Sequence, residues 1–180
     1  WIREGSVAKD LSTLLPLVNL ATSTSLGFCT DDRNPLDIES EGHLDFLIRT
    51  AIQRGVPEEI AYRVASWSVA RHYGLDRNSS RSTIPDRRGA IAPGWLADLV
   101  LLNDARSCSI HSVFKNGKLA QECAFQKETT VFENTMKAHV PGQVDLKGPE
   151  GRVHVIGVKP GKIITDKLVM NHDQAGVAHF

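Results

Sequence analysis

Two aspartates stand side by side at positions 31 and 32, directly behind the run Leu26-Gly27-Phe28-Cys29-Thr30. That run is apolar on both faces, which suits a strand buried in a parallel sheet. The carboxyl ends of such strands are where α/β and barrel folds gather their chemistry. An Asp there is short and stiff, so its carboxylate can be aimed at a metal ion or at a proton. Adjacent carboxylates also resist ionising together unless a cation or a hydrogen bond offsets their repulsion. Turn chemistry accounts for the pair equally well on spacing alone, because Asp-x-Asn-Pro (residues 32–35) lets one Asp side chain cap the following turn.

Metal chemistry needs further ligands, and histidine is the first place to look. The seven are His43, His72, His111, His139, His154, His172 and His179, and no two stand at HxH, HExxH or HxxxH spacing. His43, within Glu41-Gly42-His43-Leu44-Asp45, is the best placed, shortly after the two aspartates at the start of a helical pattern. Its ordinary alternative is a helix-start residue with routine hydrogen bonds. No CxxC is present, which removes the His/Cys zinc site of cytidine-deaminase-like enzymes. No GxxxxGK[ST] and no GxSxG occur, so a P-loop and a nucleophile elbow are excluded as well. Cys29 reads as a buried neutral thiol. Arg87 and Arg88, with Arg77 and Arg81, read as a solvated loop.

The elements that must position this corner follow from periodicity. Trp1 to Ser6 reads as the end of a strand running into a loop, with Ser6 as the N-cap of a first helix. Val7, Ala8, Leu11, Leu14, Leu15 and Val18 form that helix's apolar stripe, and Pro16 kinks or ends it. Leu44, Leu47, Ile48, Ala51 and Ile52 make a second helix closed by Gly55. Pro57 opens a third, with Glu58 and Glu59 in its first turn, running through Val69 to about Gly74. Residues 76–88 form a polar surface loop. Strands and tight turns follow: a buried strand at 97–102, a hairpin across Asn116-Gly117, and a second strand-turn-strand unit in which 152–158 and 162–165 flank Lys159-Pro160-Gly161. The fold class expected is α/β followed by β structure.

Composition sets the outer bounds. Over 180 residues, 21 Lys and Arg balance 21 Asp and Glu, so nothing favours a nucleic-acid partner. Apolar residues are 41% and charged residues 23%, the mix of a globular chain. No apolar run approaches the ~20 residues of a membrane span and no secretory leader opens the chain. Three well-separated cysteines fit a reducing compartment, so the expected location is the cytoplasm. Residue 1 is Trp and the chain starts in mid-pattern, which reads as a piece of something longer.

Residues 28–75, FCTDDRNPLDIESEGHLDFLIRTAIQRGVPEEIAYRVASWSVARHYGL, resemble the adenine deaminases of the amidohydrolase superfamily. GAIAPGWLADLVLLND is similar to the segment by which such enzymes leave their barrel for a small β domain, and REGSVAKDL to the loop and helix before the last barrel strand. RVHVIGVKPGKIITDKL resembles the start of their extra C-terminal domain. The resemblance implies the C-terminal end of a metal-dependent (β/α)8 barrel. It divides the chain into residues 1–75 (last strand and helices of the barrel), 76–125 (linker and small β-sandwich) and 126–180 (start of the extra domain).

The reaction implied is hydrolytic deamination of adenine to hypoxanthine and ammonia by a metal-activated water, with a purine as the small-molecule partner. The resemblance assigns Asp31 as metal ligand and proton carrier and Asp32 as the hydrogen-bond partner of a purine ring nitrogen; His43, from its place shortly after them, is the further substrate-binding candidate. The metal expected is manganese, iron or zinc, and the longer enzyme is expected to be a homo-oligomer. One carboxylate cannot hold a catalytic ion and two strands cannot close a barrel. This chain is therefore expected to be inactive alone. Two other readings stay open: an amidohydrolase acting on a cyclic amide (dihydroorotase-like or imidazolonepropionase-like), and a non-catalytic β-rich interaction module.

Overall fold

The computed structural model describes residues 1–77, 86–124, 137–140, 142 and 150–174. Much of the polar loop at 76–88, part of the segment 126–180, and His179 lie outside the described residues. The chain divides into two units, Trp1–Ala124 with Gly161–Ile163, and Phe125–Pro160 with Ile164–Phe180.

In the first unit, β1 (Ile2–Arg3) pairs in parallel with β2 (Phe28–Cys29), Ile2 opposite Phe28 and Arg3 opposite Cys29. Both strands are two residues long, and both apolar side chains, Ile2 and Phe28, are buried. The helices α1 (Leu11–Leu14), α3 (Leu44–Gln53) and α4 (Glu58–Ala65) bury Leu11, Leu47, Ala51, Ala61 and Val64 completely, and these side chains join the strands in one core. The stripes expected on the second and third helices are thus the ones that pack.

Several expectations need correction. The first helix does not start at Val7: α1 begins at Leu11, Val7 is exposed, and Leu15–Leu17 continue as a 3-10 turn around Pro16. A proline cannot donate to the i−4 carbonyl, so the tighter turn is the cheaper way to finish. The third helix is broken, because Ser66 leaves helical geometry between α4 and α5 (Trp67–His72). Its hydroxyl bonds the Tyr62 carbonyl at 2.6 Å, the back-bonding that bends helices. Pro57 precedes α4 as its N-cap rather than starting it.

The β portion begins at β3 (Leu99–Asp104), which pairs antiparallel with β4 (Ser109–Lys115), and β4 with β5 (Lys118–Leu119). The strand read at 97–102 is displaced by two residues and is not buried, since Val100 and Leu101 are both about half exposed. Asn116 and Gly117 close the β4–β5 hairpin with φ values of 50° and 78°, the left-handed pair that a type I′ turn requires. In the second unit, β6 (Arg152–Gly157) pairs antiparallel with β7 (Asp166–Asn171). The second strand therefore starts at Asp166 and not at Lys162.

Asp98 ties this β portion together. Its carboxylate accepts from Arg88 at 2.7 Å, from Lys115 at 2.6 Å and from the Asn116 N–H at 2.9 Å. Arg87 stacks 5.2 Å from the Trp95 ring, so the Arg pair read as solvated is instead half-buried structure. Burial pushes the Asp98 carboxyl up, but the hydrogen bonds from Lys115 and Asn116 and the charge of Arg88 outweigh it and hold the group below its ordinary value. A carboxyl depressed on folding stabilises the fold above its unfolded pKa, and that contribution disappears as pH falls through the folded value. Asp98→Asn is therefore expected to lower the denaturant midpoint at pH 7, with the difference from the wild type closing below about pH 4. A difference independent of pH between 7 and 2 would remove the charge argument.

Candidate functional site

Because β1 and β2 run in parallel, their C-terminal ends emerge on the same side, and the segments that follow meet there. Arg3 Nη1 donates to Asp31 Oδ1 at 3.1 Å. The Val7 N–H donates to Asp32 Oδ2 at 3.2 Å. Ser6 Oγ donates to Asp37 Oδ2 and accepts the Asn34 N–H at 2.9 Å. Ser6 is thus no cap of the first helix; it binds the loop behind the acidic pair. Asp31 itself has φ 49°, a left-handed conformation that Asp tolerates better than most residues and that recurs at functional positions.

Neither aspartate caps the next turn. Asn34 does, its side chain accepting the Asp37 N–H at 3.0 Å, with Pro35 as the first residue of α2 (Pro35–Glu41). The segment read as a turn is a helix start, and the pattern Asn-Pro-x-Asp was the signal for it. A helix of seven residues with none buried cannot stand on propensity or packing, so it is held at its ends. Arg33, fully buried, donates through Nε to the Gly42 carbonyl at 2.7 Å and through Nη2 to the Asp37 carbonyl at 3.4 Å and to Glu41. Arg49 reaches the Glu41 carbonyl. Two cations therefore sit at the negative end of α2, with Phe46 under both guanidinium groups at 4.3 and 5.9 Å.

This clamp ends at Gly42, whose φ of 109° suits glycine, and His43 follows as the residue preceding α3. A hydrogen bond of 3.0 Å joins His43 Nε2 to Thr30 Oγ1. The His43 N–H donates to Asp45 Oδ1 at 2.8 Å, and Arg49 pairs with the same side chain at 3.0 Å. Burial raises the Asp45 carboxyl, yet the His43 N–H and the Arg49 guanidinium outweigh this and hold it below its ordinary value. His43 also lines a cleft of about 510 Å³ between α3, α4 and the β3–β4 strands, whose walls include Ile48, Tyr62, Leu99 and Leu102. Asp31 and Asp32 do not line it.

The structure thus joins His43 to Thr30 at the end of β2, next to Asp31 and Asp32, and all three predicted residues are exposed. Sequence reasoning missed Gly5, Ser6, Thr30, Arg33 and Asp37 as parts of the corner. Leu11, Leu15 and Val18 of the first helical segment are buried, and β2 is paired with β1.

A catalytic ion needs about three protein ligands. Among the described residues no three His, Cys, Asp or Glu side chains come together to hold one. The chain on its own does not fit a metal. Asp31 fits only as a single contributed ligand, since Arg3 occupies Oδ1 and Oδ2 has no hydrogen-bond partner among the described residues.

The pattern of a parallel strand ending in paired acids, followed by two core helices and a short antiparallel sheet, agrees with the model of the amidohydrolase family, which matches residues 4–120. The chain belongs to the amidohydrolase family. Among curated proteins, it is 47% identical over 171 residues to the adenine deaminase of Methylobacterium nodulans, covering 92% of this chain and 28% of that protein. It is 46% identical over 173 residues to the adenine deaminase of Gluconobacter oxydans, covering 93% and 29%. With the adenine deaminase of Sinorhizobium fredii it shares 44% over 170 residues, covering 92% and 28%. The chain thus spans less than a third of the length of these relatives. Among the described residues of this amidohydrolase, no helix is long and apolar enough to cross a membrane.

Proposed function

We propose that the chain is part of a longer amidohydrolase that converts adenine to hypoxanthine and ammonia by hydrolysis. One observation carries this reading. The likeness to proteins named adenine deaminase covers 92% of the chain, beyond the 4–120 segment that the family shares. In the same reading residues 1–75 close a (β/α)8 barrel, 76–125 contribute to a small β-sandwich and 126–180 open a further domain. The enzyme is a cytoplasmic homo-oligomer of purine catabolism with no nucleic-acid or membrane partner.

A divalent cation (manganese, iron or zinc), held mainly by residues beyond this chain with Asp31 as one ligand, would supply Lewis acidity toward water. The chain's own residues do the rest of what is proposed for them here. Asp31 offers Oδ2 as a ligand and as an acceptor that can take and return a proton, while Arg3 steadies Oδ1. Asp32 keeps Oδ2 on the Val7 N–H and offers Oδ1 to a ring nitrogen of the purine. His43, tethered by Thr30, stands on the substrate side.

The test is ammonia release from adenine, set beside ring opening of a panel of cyclic amides that includes dihydroorotate and imidazolonepropionate, all with the longer protein. Turnover confined to adenine is the expected result, with none from the 180-residue chain by itself. Turnover confined to a cyclic amide would replace the substrate proposed here, because the family match at 4–120 admits both.

A further inference from the structure

Gly5 is buried directly beneath the Asp32 carboxylate. A Cβ added at Gly5 would lie 1.6 Å from Asp32 Oδ1, 2.8 Å from its Cγ and 3.1 Å from its backbone N. The first two contacts are shorter than any real Cβ makes, so any side chain at position 5 displaces the carboxylate. Backbone freedom is not why glycine stands here, because Gly5 is not among the residues with positive φ. The need is for empty space above one Cα.

The neighbours of Gly5 point the same way. Arg3 holds Asp31, Ser6 holds Asn34 and Asp37, and the Val7 N–H holds the other oxygen of Asp32. The Gly5–Val7 loop therefore fixes where the Asp32 carboxylate lies: Val7 draws Oδ2 toward the loop, and the bare Gly5 lets Oδ1 settle over it.

We infer that Gly5 is a positioning residue for substrate recognition, acting through Asp32: its missing side chain sets the place of the oxygen that meets the purine. The inference rests on the adenine deaminase reading for its substrate, but the Gly5–Asp32 contact does not.

The experiment is a double-mutant cycle in the longer protein with Gly5→Ala, Asp32→Ala and both together, reading KM and kcat for adenine, bound metal and thermal midpoint. Gly5→Ala is expected to raise KM roughly 10- to 100-fold, the effect of moving a binding group by about an ångström, while kcat and bound metal change little. With Asp32→Ala in place the clash has no partner, and adding Gly5→Ala should change KM less than about twofold. An unchanged KM in Gly5→Ala, or the same fold-change in both backgrounds, would overturn the inference. A merely structural glycine would lower the thermal midpoint without splitting KM from kcat.

If Gly5→Ala alone fails to fold, Asp32→Ala should restore folded protein by removing the colliding carboxylate, and failure to restore it counts against the inference. If the wild type turns over no adenine, the functional reading fails by itself. The thermal midpoints of the four proteins then still decide the contact, with non-additivity expected and additivity overturning it.

Discussion

Asp31→Asn in the longer protein is expected to reduce adenine turnover about 1,000-fold, within the range seen when a positioned proton carrier is removed. It is also expected to weaken metal binding at least roughly tenfold. The substitution keeps size and shape, so its effect separates chemistry from folding. Asn tolerates the left-handed conformation that residue 31 adopts (φ 49°) as well as Asp does. What the fold loses is one ion pair, Arg3–Asp31, whose side chains are 39% and 30% exposed. Exposed pairs are worth about 0–1 kcal/mol, whereas a 1,000-fold loss corresponds to about 4 kcal/mol of transition-state stabilisation. Folding cannot supply that difference. Steady-state kinetics with metal analysis on the purified variant decide the matter, and unchanged values in both would strip Asp31 of its proposed role.

How much of this corner was legible depends on what kind of interaction each residue makes. The core was readable wherever burial repeats at helical spacing: Leu44, Leu47, Ile48, Ala51 and Ile52 sit on one face of α3, and the last four are buried. The Asn116-Gly117 hairpin was readable because only a few residues accept two successive positive φ values. The strand at 26–30 was readable as apolar on both faces, although only Phe28–Cys29 are paired. The parts that failed are those decided by long-range contacts. Ser6 has the local credentials of an N-cap, but Asp37 and the Asn34 N–H, brought in from about thirty residues away by the β1–β2 pairing, take its hydroxyl. Nothing local to Gly5 announces the Asp32 carboxylate above it. Ser66 carries no proline or glycine warning, yet the third helix breaks there. The acidic pair was visible as a pair, while the loop that seats it was not.

Arg33 is the sharpest case, and its removal is expected to have the largest effect on stability. Its side chain is fully buried, Nε and Nη2 serve the Gly42 and Asp37 carbonyls and the Glu41 carboxylate, and its guanidinium lies 4.3 Å from the Phe46 ring centre. Nη1 has no hydrogen-bond partner among the described residues, a cost of about 1–3 kcal/mol that the other bonds must offset. Arg33→Ala removes that cost, but it also frees the end of α2 and empties the space above Phe46. The Glu41 carboxylate left behind is 43% exposed and returns to water, so no charge is stranded in the interior. Lost hydrogen bonds and lost packing together point to about 2–4 kcal/mol of destabilisation. Arg33→Lys should recover little of it, since one ammonium cannot span from Gly42 to Asp37 and Glu41 as the planar fork does. Denaturant midpoints of both variants, with hydrogen exchange along α2 and at His43, measure this directly. The expected pattern is early loss of protection in residues 36–43 for both variants. Wild-type protection there would mean that Asn34 and Ser6 hold α2 without help from its far end.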